Sequence, residues 1–220
     1  MCERQATRAD VAEYERVVVI ALIDYKAGNL TSVRKALAAI EADVFTPATP
    51  DDLAQAVGII VPGVGHFGAT RALDKAWVDA ILDRIGEGVP LLGICLGMQW
   101  LYEDSEEAPE LRGLGLLSGS CRKLRPAPSD PPIKVPHVGW NQLDRSGDGS
   151  ILEDVPDGAQ VYFTHSYVAP VTPHTVAATE HGEVFASIVQ RGQIAGVQFH
   201  PEKSGEVGLT ILRNFKRMVG

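Results

Sequence analysis

Apolar positions along the chain fall into short runs separated by polar, glycine-rich turns, and their spacing changes about halfway. Residues 17–23 (VVVIALI) form an unbroken apolar stretch of strand length, the pattern of a strand covered on both faces. Residues 58–61 (GIIV) and 90–94 (PLLGI) repeat it. After a turn at 24–29, Leu30, Val33, Leu37 and Ile40 recur at helical spacing, with Asn29 or Thr31 available as the cap. Val44 and Phe45 make a short strand, residues 62–68 a glycine-rich loop, and 69–85 a helix. Cys95 opens a further helix running through Tyr102. Such alternation predicts right-handed βαβ units building a parallel sheet. From Leu116 onward the runs are shorter and β-like, at 116–124, 133–138, 160–165, 175–179, 184–190 and 194–199. Loops rich in Pro, Gly, Ser and Asp at 125–132 and 144–150 interrupt them, and 205–219 reads as an amphipathic helix. The expectation is one α/β domain over residues 17–220, its sheet partly antiparallel in the second half, preceded by a polar tail at 1–16.

Composition narrows the function more than the fold. A chain of 220 residues can bury a sizeable core. A net charge of −8, with no run of Lys and Arg, disfavours nucleic acid and anionic membranes as partners. Cys2, Cys95 and Cys121 are far apart and lack C-x-x-C pairing, which suits a reducing cytoplasm and argues against a disulfide framework or zinc site. No metal or cofactor is expected. No apolar stretch approaches the length of a membrane span, and the first sixteen residues lack the apolar core of a secretory signal.

Candidate chemistry starts at Gly93-Ile94-Cys95-Leu96-Gly97, a G-x-C-x-G sequence between a buried strand and a helix. A nucleophile on a sharp strand-to-helix turn is crowded by its neighbours, and glycine two residues to either side relieves the crowding. The helix N-terminus favours thiolate, and the N–H of Leu96 would face a developing oxyanion. Alone, Cys95 could equally be a small core residue. The 194–199 run, however, ends in His200-Pro201-Glu202. Proline biases His200 toward extended backbone, in which residues two apart project to one side, so Glu202 can orient the His200 imidazole. Together these residues predict a Cys95–His200–Glu202 triad. Gly63-Val64-Gly65-His66-Phe67-Gly68 matches a G-x-G-x-x-G pattern, but it follows a later strand, Pro62 distorts the approach, and no ribose-binding acid ends a strand about 20 residues on. A dinucleotide site is therefore disfavoured. A backbone loop offering a second oxyanion N–H, from Val64 or Gly65, fits better.

Cys95-Leu96-Gly97-Met98-Gln99, Pro62-Gly63-Val64-Gly65 and His200-Pro201-Glu202 resemble the class I (triad-type) glutamine amidotransferases. Three further stretches, Asp24-Tyr25-Lys26-Ala27-Gly28-Asn29-Leu30, Pro136-His137-Val138-Gly139-Trp140-Asn141 and Tyr162-Phe163-Thr164-His165-Ser166-Tyr167, are similar to one branch, the glutaminase subunits of imidazole glycerol phosphate synthase. The resemblance implies a flavodoxin-like fold, with a mixed, mostly parallel central sheet flanked by helices and carrying an antiparallel β extension. It implies L-glutamine as substrate, contacted by Gly63, Gln99, Glu107, His165, Ser166 and Tyr167. Glu107 is preferred to Glu106 on resemblance alone, since the acidic run 103–107 otherwise reads as a solvated face. Asn29, Pro136, Trp140, Tyr162 and Lys203 would face a partner, a cyclase subunit of (β/α)8-barrel fold in a heterodimer. That partner would use the ammonia to make imidazole glycerol phosphate and aminoimidazole carboxamide ribotide. An anthranilate or aminodeoxychorismate synthase subunit is the nearest rival; several such relatives carry His where this chain has Met98, and the 136–141 motif also disfavours it. The other rivals are a partner-independent cysteine hydrolase of γ-glutamyl or peptide bonds and a non-enzymatic subunit with a vestigial triad.

Overall fold

The computed structural model describes residues 19–125 and 132–220. The expected tail at 1–16, the first two residues of the 17–23 run and most of the 125–132 loop lie outside the described residues. In the first half, β1 (Val19–Leu22), β2 (Asp43–Phe45), β3 (Gly58–Val61) and β4 (Leu91–Ile94) alternate with helices α1 (Leu30–Ala39), α2 (Lys75–Gly86) and α3 (Leu96–Trp100). The second half begins with β5 (Asp104–Ser105), β6 (Ser120–Lys123), β7 (His137–Gln142), β8 (Asp144–Arg145) and β9 (Gln160–His165). It continues through β10 (Tyr167–Val168), β11 (Thr175–Glu180), β12 (Val184–Arg191) and β13 (Ile194–Val197) to α4 (Gly205–Val219).

Eight strands form one sheet in the order β2-β1-β3-β4-β13-β12-β11-β8. The first five are mutually parallel and β12, β11 and β8 are antiparallel additions. The parallel part has the 2-1-3-4-5 order of flavodoxin-like sheets, in which ligands bind beyond the carboxyl ends of the strands where the winding reverses. Smaller sheets, β10-β6-β5 and β7-β9, stand beside the main one.

Each continuous apolar run feeds two cores, as alternation in a doubly covered strand requires. Ile20, Leu22, Ile60, Leu92 and Ile94 point to one face, where α1 and α4 add Val33, Leu37, Ile211, Leu212 and Phe215. Ala21, Ile59, Val61 and Leu91 point to the other, against Ile81 of α2 and Met98 and Trp100 of α3.

Several boundaries differ from expectation, each for a local reason. The helix expected over 69–85 is split into a 3-10 turn, Phe67–Ala72, and α2, because the Asp74 side chain accepts from the N–H groups of Ala76 and Trp77 and starts a new helix. Asn29, not Thr31, caps α1 by accepting from the Ser32 N–H. The helix after Cys95 ends at Trp100 rather than Tyr102; the carbonyls of Trp100 and Tyr102 instead accept from Leu114 and Gly115. The 116–124 run is strand only over Ser120–Lys123, and β7 begins at His137 rather than at 133, running on to Gln142 because it pairs with β9 in full. The expected 144–150 loop opens with β8, and the run expected to end at 199 leaves the sheet after Val197. The acidic run 103–107 is not a simple solvated face: β5 lies inside it, and Ser105 is buried.

The cap at Asp74 gives a direct test. Asp74→Ala should lower the unfolding free energy by about 1 kcal/mol in urea denaturation followed by far-UV circular dichroism. An unchanged midpoint would mean that the carboxylate does not hold the start of α2.

Candidate active site

Cys95 stands where β4 turns into α3, with φ 53° and ψ −106°, a backbone conformation unfavourable for any residue with a side chain. The glycines on either side make it possible. A Cβ on Gly93 would sit 2.6 Å from the Gly97 backbone, and one on Gly97 would collide with the Val61 carbonyl. The Cys95 N–H donates to the Val197 carbonyl at 2.7 Å, tying the turn to the end of β13. Three residues after Val197, which pairs with Ile94, the chain reaches His200 in extended backbone, and its N–H donates to the Tyr162 carbonyl at 2.9 Å.

His200 Nδ1 and Glu202 Oε1 are 2.9 Å apart, with both side chains 2% exposed. Ser204 fastens the segment: its hydroxyl donates to the His200 carbonyl at 2.7 Å and accepts from the Tyr162 N–H at 2.9 Å. Burial by itself opposes a charge on His200, but the Cys95 sulfur and the Glu202 carboxylate outweigh it and raise the imidazole to about 9. Nε2 has no partner in hydrogen-bonding geometry, so Cys95 acts on the ring as a close neighbour rather than through a formed hydrogen bond. His200 is therefore charged at neutral pH, with Glu202 fixing which nitrogen faces the sulfur.

A cavity of about 350 Å³ opens in front of Cys95. Val64, Gly65 and Leu96 line it beside the sulfur; Gln99, Glu107, His165, Ser166 and Tyr167 form more of the wall, with Pro136 and Thr164. His200 and Glu202 are not part of the lining and lie buried behind Cys95; Gly63 is likewise buried. Glu107 and Glu106 separate cleanly. Glu107 faces the cavity and accepts the Phe67 N–H at 2.6 Å, whereas Glu106 is exposed and bound to Arg125 and the Lys123 N–H. His165 donates from Nδ1 to the Tyr167 carbonyl, since a carbonyl can only accept, which leaves its Nε2 to accept from His137 Nδ1 at 3.1 Å. Burial holds His165 down to about 3 and His137 to about 4, so both are neutral.

Two of the three expected oxyanion donors are engaged within the protein in this arrangement. The Leu96 N–H does not face the cavity free: it donates to the Gly63 carbonyl at 3.3 Å, and the Val64 N–H donates to the Ala27 carbonyl at 3.0 Å. Glycine at 63 allows this approach, because a Cβ there would strike the Tyr25 hydroxyl and Leu96. Both donors are satisfied within the protein, and sequence alone gives no sign of it, because peptide orientation in a glycine loop leaves no trace in residue type.

Trp140, Tyr162 and Lys203 come together on the surface. Trp140 is 57% exposed and packs edge-on to Tyr162 with ring centroids 6.1 Å apart, and Lys203 Nζ lies 5.7 Å from the Tyr162 ring centre. Pro136 is exposed at the cavity wall, and Asn29 is occupied as the α1 cap. Gln198 is the residue that sequence reasoning missed. It is fully buried, and its amide donates to Cys95 Sγ at 3.6 Å. The available clue was its place two residues before His200 in extended chain, on the same side.

A buried imidazole–carboxylate pair behind a cysteine on a strained strand-to-helix turn, at the carboxyl end of a doubly wound sheet, defines a cysteine hydrolase of the triad type. Residues 21–218 match the family model for glutamine amidotransferase class-I, and the chain belongs to that family. It is 44% identical over 204 residues to the imidazole glycerol phosphate synthase subunit HisH of Bacillus mycoides, covering 91% of this chain and 95% of the relative. Identity to the subunit of the same name from Moorella thermoacetica is 46% over the same shares. For Deinococcus radiodurans it is 44%, covering 90% of this chain and 93% of that one. Two solved glutamine amidotransferases share the fold: one with TM-score 0.70 at 20% identity, covering 92% of this chain and 99% of that one, and one from Thermotoga maritima with TM-score 0.63 at 17% identity, covering 92% and 98%.

The charge on His200 predicts a pH profile. Because the folded-state value is raised, the protonated ring is held up to about pH 9 and lost above it, so glutaminase kcat/KM should fall as pH rises through that value. Glu202→Gln removes one of the groups that raise it, and the alkaline descent should then begin at lower pH. A descent that stays in place in the variant would count against the carboxylate's role.

Proposed function

We propose that the chain is the glutaminase subunit of an imidazole glycerol phosphate synthase, hydrolysing L-glutamine to glutamate and passing ammonia to a separate cyclase subunit. The observation that carries the proposal is the meeting, at the end of one central strand pair, of the Cys95 elbow with the buried His200–Glu202 pair in front of a cavity sized for a small substrate. Near 45% identity to relatives of that name over nine-tenths of the chain supports the choice of synthase.

Cys95 thiolate attacks the side-chain amide carbon of glutamine, and the amide oxygen becomes an oxyanion. His200, already protonated, gives its Nε2 proton to the departing nitrogen as the C–N bond breaks, leaving a γ-glutamyl thioester and ammonia. Neutral His200 then takes a proton from water, whose oxygen attacks the thioester carbon, and glutamate leaves as the sulfur recovers its electron pair. Glu202 holds the Nδ1 proton and the ring orientation through both steps. Glu107 faces the substrate α-ammonium while its other oxygen stays on the Phe67 N–H. Gln99, Ser166 and Tyr167 complete the substrate pocket beside neutral His165, and Gly63 packs behind Leu96 of its lining.

The oxyanion needs donors that the resting chain has already used. Turning the Gly63–Val64 peptide would free the Leu96 N–H from the Gly63 carbonyl and swing the Val64 N–H from Ala27 toward the cavity, with Gly65 as the other loop donor. Such a chain hydrolyses glutamine slowly by itself and depends on docking to reach its active arrangement, which favours a partner-controlled subunit over a free-standing hydrolase. Docking also protects the product, because ammonia released into bulk water near neutral pH is protonated and ceases to be a nucleophile. The partner is a (β/α)8-barrel cyclase in a heterodimer, meeting this chain at Trp140, Tyr162, Lys203 and Pro136, with Asn29 nearby. Among the described residues no helix is long and apolar enough to cross a membrane. A cytoplasmic setting fits the free thiols of Cys95 and Cys121.

Cys95→Ala, assayed with the cyclase, should abolish glutamine-dependent synthesis while leaving ammonia-dependent synthesis intact; glutaminase activity surviving in that variant sinks the nucleophile assignment. Trp140→Ala should weaken cyclase docking by about 30-fold in a titration followed by calorimetry, the loss of a typical aromatic anchor. Full glutaminase activity of the isolated wild-type chain would argue against partner control.

A further inference from the structure

We infer that Gln198 is a positioning residue for the nucleophile, donating its side-chain N–H to the Cys95 sulfur so that the anionic sulfur is favoured and held facing the cavity. The inference rests on Cys95 being the nucleophile and adds a fourth side chain to the three already assigned.

The geometry comes from three hydrogen bonds in series. Gln99 Nε2 donates to the Tyr167 carbonyl at 2.9 Å and to Gln198 Oε1 at 3.1 Å. Gln198 Nε2 then donates to Cys95 Sγ at 3.6 Å. The direction of the series follows from its first member. A backbone carbonyl can only accept, so Gln99 must present its NH2 group there, and the second N–H of that group is the one available to Gln198. Gln198 must therefore turn its oxygen to Gln99 and its NH2 to the sulfur. The opposite orientation would set two NH2 groups against each other and bring a carbonyl lone pair up to the thiolate.

Gln198 is fully buried and Gln99 nearly so, and buried amides held at both ends move little. Among the described residues this is the one side-chain hydrogen bond made to the Cys95 sulfur. It differs from the contribution of His200, whose proton leaves during the reaction. The amide proton of Gln198 does not transfer, so its stabilisation of the anion is present before substrate binds and again after the thioester is cleaved. Gln99 also lines the cavity, which makes the same series a mechanical link between the substrate wall and the sulfur.

The test follows alkylation of Cys95 in the full chain by iodoacetamide from pH 5 to 9, with mass spectrometry reading the modified residue. Gln198→Leu removes the donor, and the rate at pH 6.5 should fall by about fivefold relative to the wild type. Gln198→Glu is nearly isosteric and keeps an acceptor for Gln99, but sets a carboxylate beside the sulfur; its profile should move further in the same direction. A packing role alone would lower the unfolding midpoint and leave the profile in place. Superimposable profiles for the folded Gln198→Glu variant and the wild type overturn the inference and leave the nucleophile assignment standing. Glutaminase activity in Cys95→Ala would instead remove that assignment, while a shifted profile would still report the hydrogen bond.

Discussion

The pairing of β4 with β13 is the constraint on which the site depends. Cys95 and His200 are nearly half the chain apart, yet each follows directly from one of two neighbouring parallel strands, with Ile94 opposite Val197. The hydrogen bond from the Cys95 N–H to the Val197 carbonyl extends that pairing one residue beyond the sheet. It fixes the elbow at the point where the second strand becomes the segment carrying Gln198, His200 and Glu202. Both strands are covered on each face by apolar side chains, so the register is held by two cores at once. A one-residue slip would turn Ile94 and Leu92 from one core into the other and carry the thiol away from the imidazole.

Three buried histidines in this region show that environment, not residue type, decides charge. His165 and His137 hydrogen-bond to each other, His165 also to a backbone carbonyl and His137 to the Asn141 amide; they find no anion and stay neutral. His200 is as deeply buried but stands between a sulfur and a carboxylate, and it is held protonated. One protein thus keeps a charged acid within reach of the reacting atoms and a neutral ring, His165, in the wall beside them. The wall can then shape a polar substrate without competing for the proton.

The fold was largely legible because its strands are apolar on both sides and its turns are marked by glycine and proline: residues 58–61, 160–165 and 205–219 are elements at the bounds their patterns suggest. Boundaries failed where side chains cap the backbone, as Asp74 does, or where a partner strand extends the pairing, as β9 does for β7. At the site, residue types at fixed spacing pointed to Cys95, His200 and Glu202, and the structure brings them together. Gln198 escaped notice because a glutamine in a buried strand end has no chemical signature until its partners are known. The orientation of the Gly63–Val64 peptide is invisible for a deeper reason: it is a backbone torsion in a segment whose residues permit more than one.

In the activation proposed above, that loop sets the size of the stimulus the docked partner must deliver. Two backbone hydrogen bonds close the resting arrangement, each contributing about 1 kcal/mol net. An effector that prefers the turned peptide by about 2–3 kcal/mol therefore shifts its population by roughly 30- to 150-fold. Small changes in residues 25–28, which hold one of those contacts through Ala27, would retune the leak of glutamine without touching any group that takes part in the chemistry.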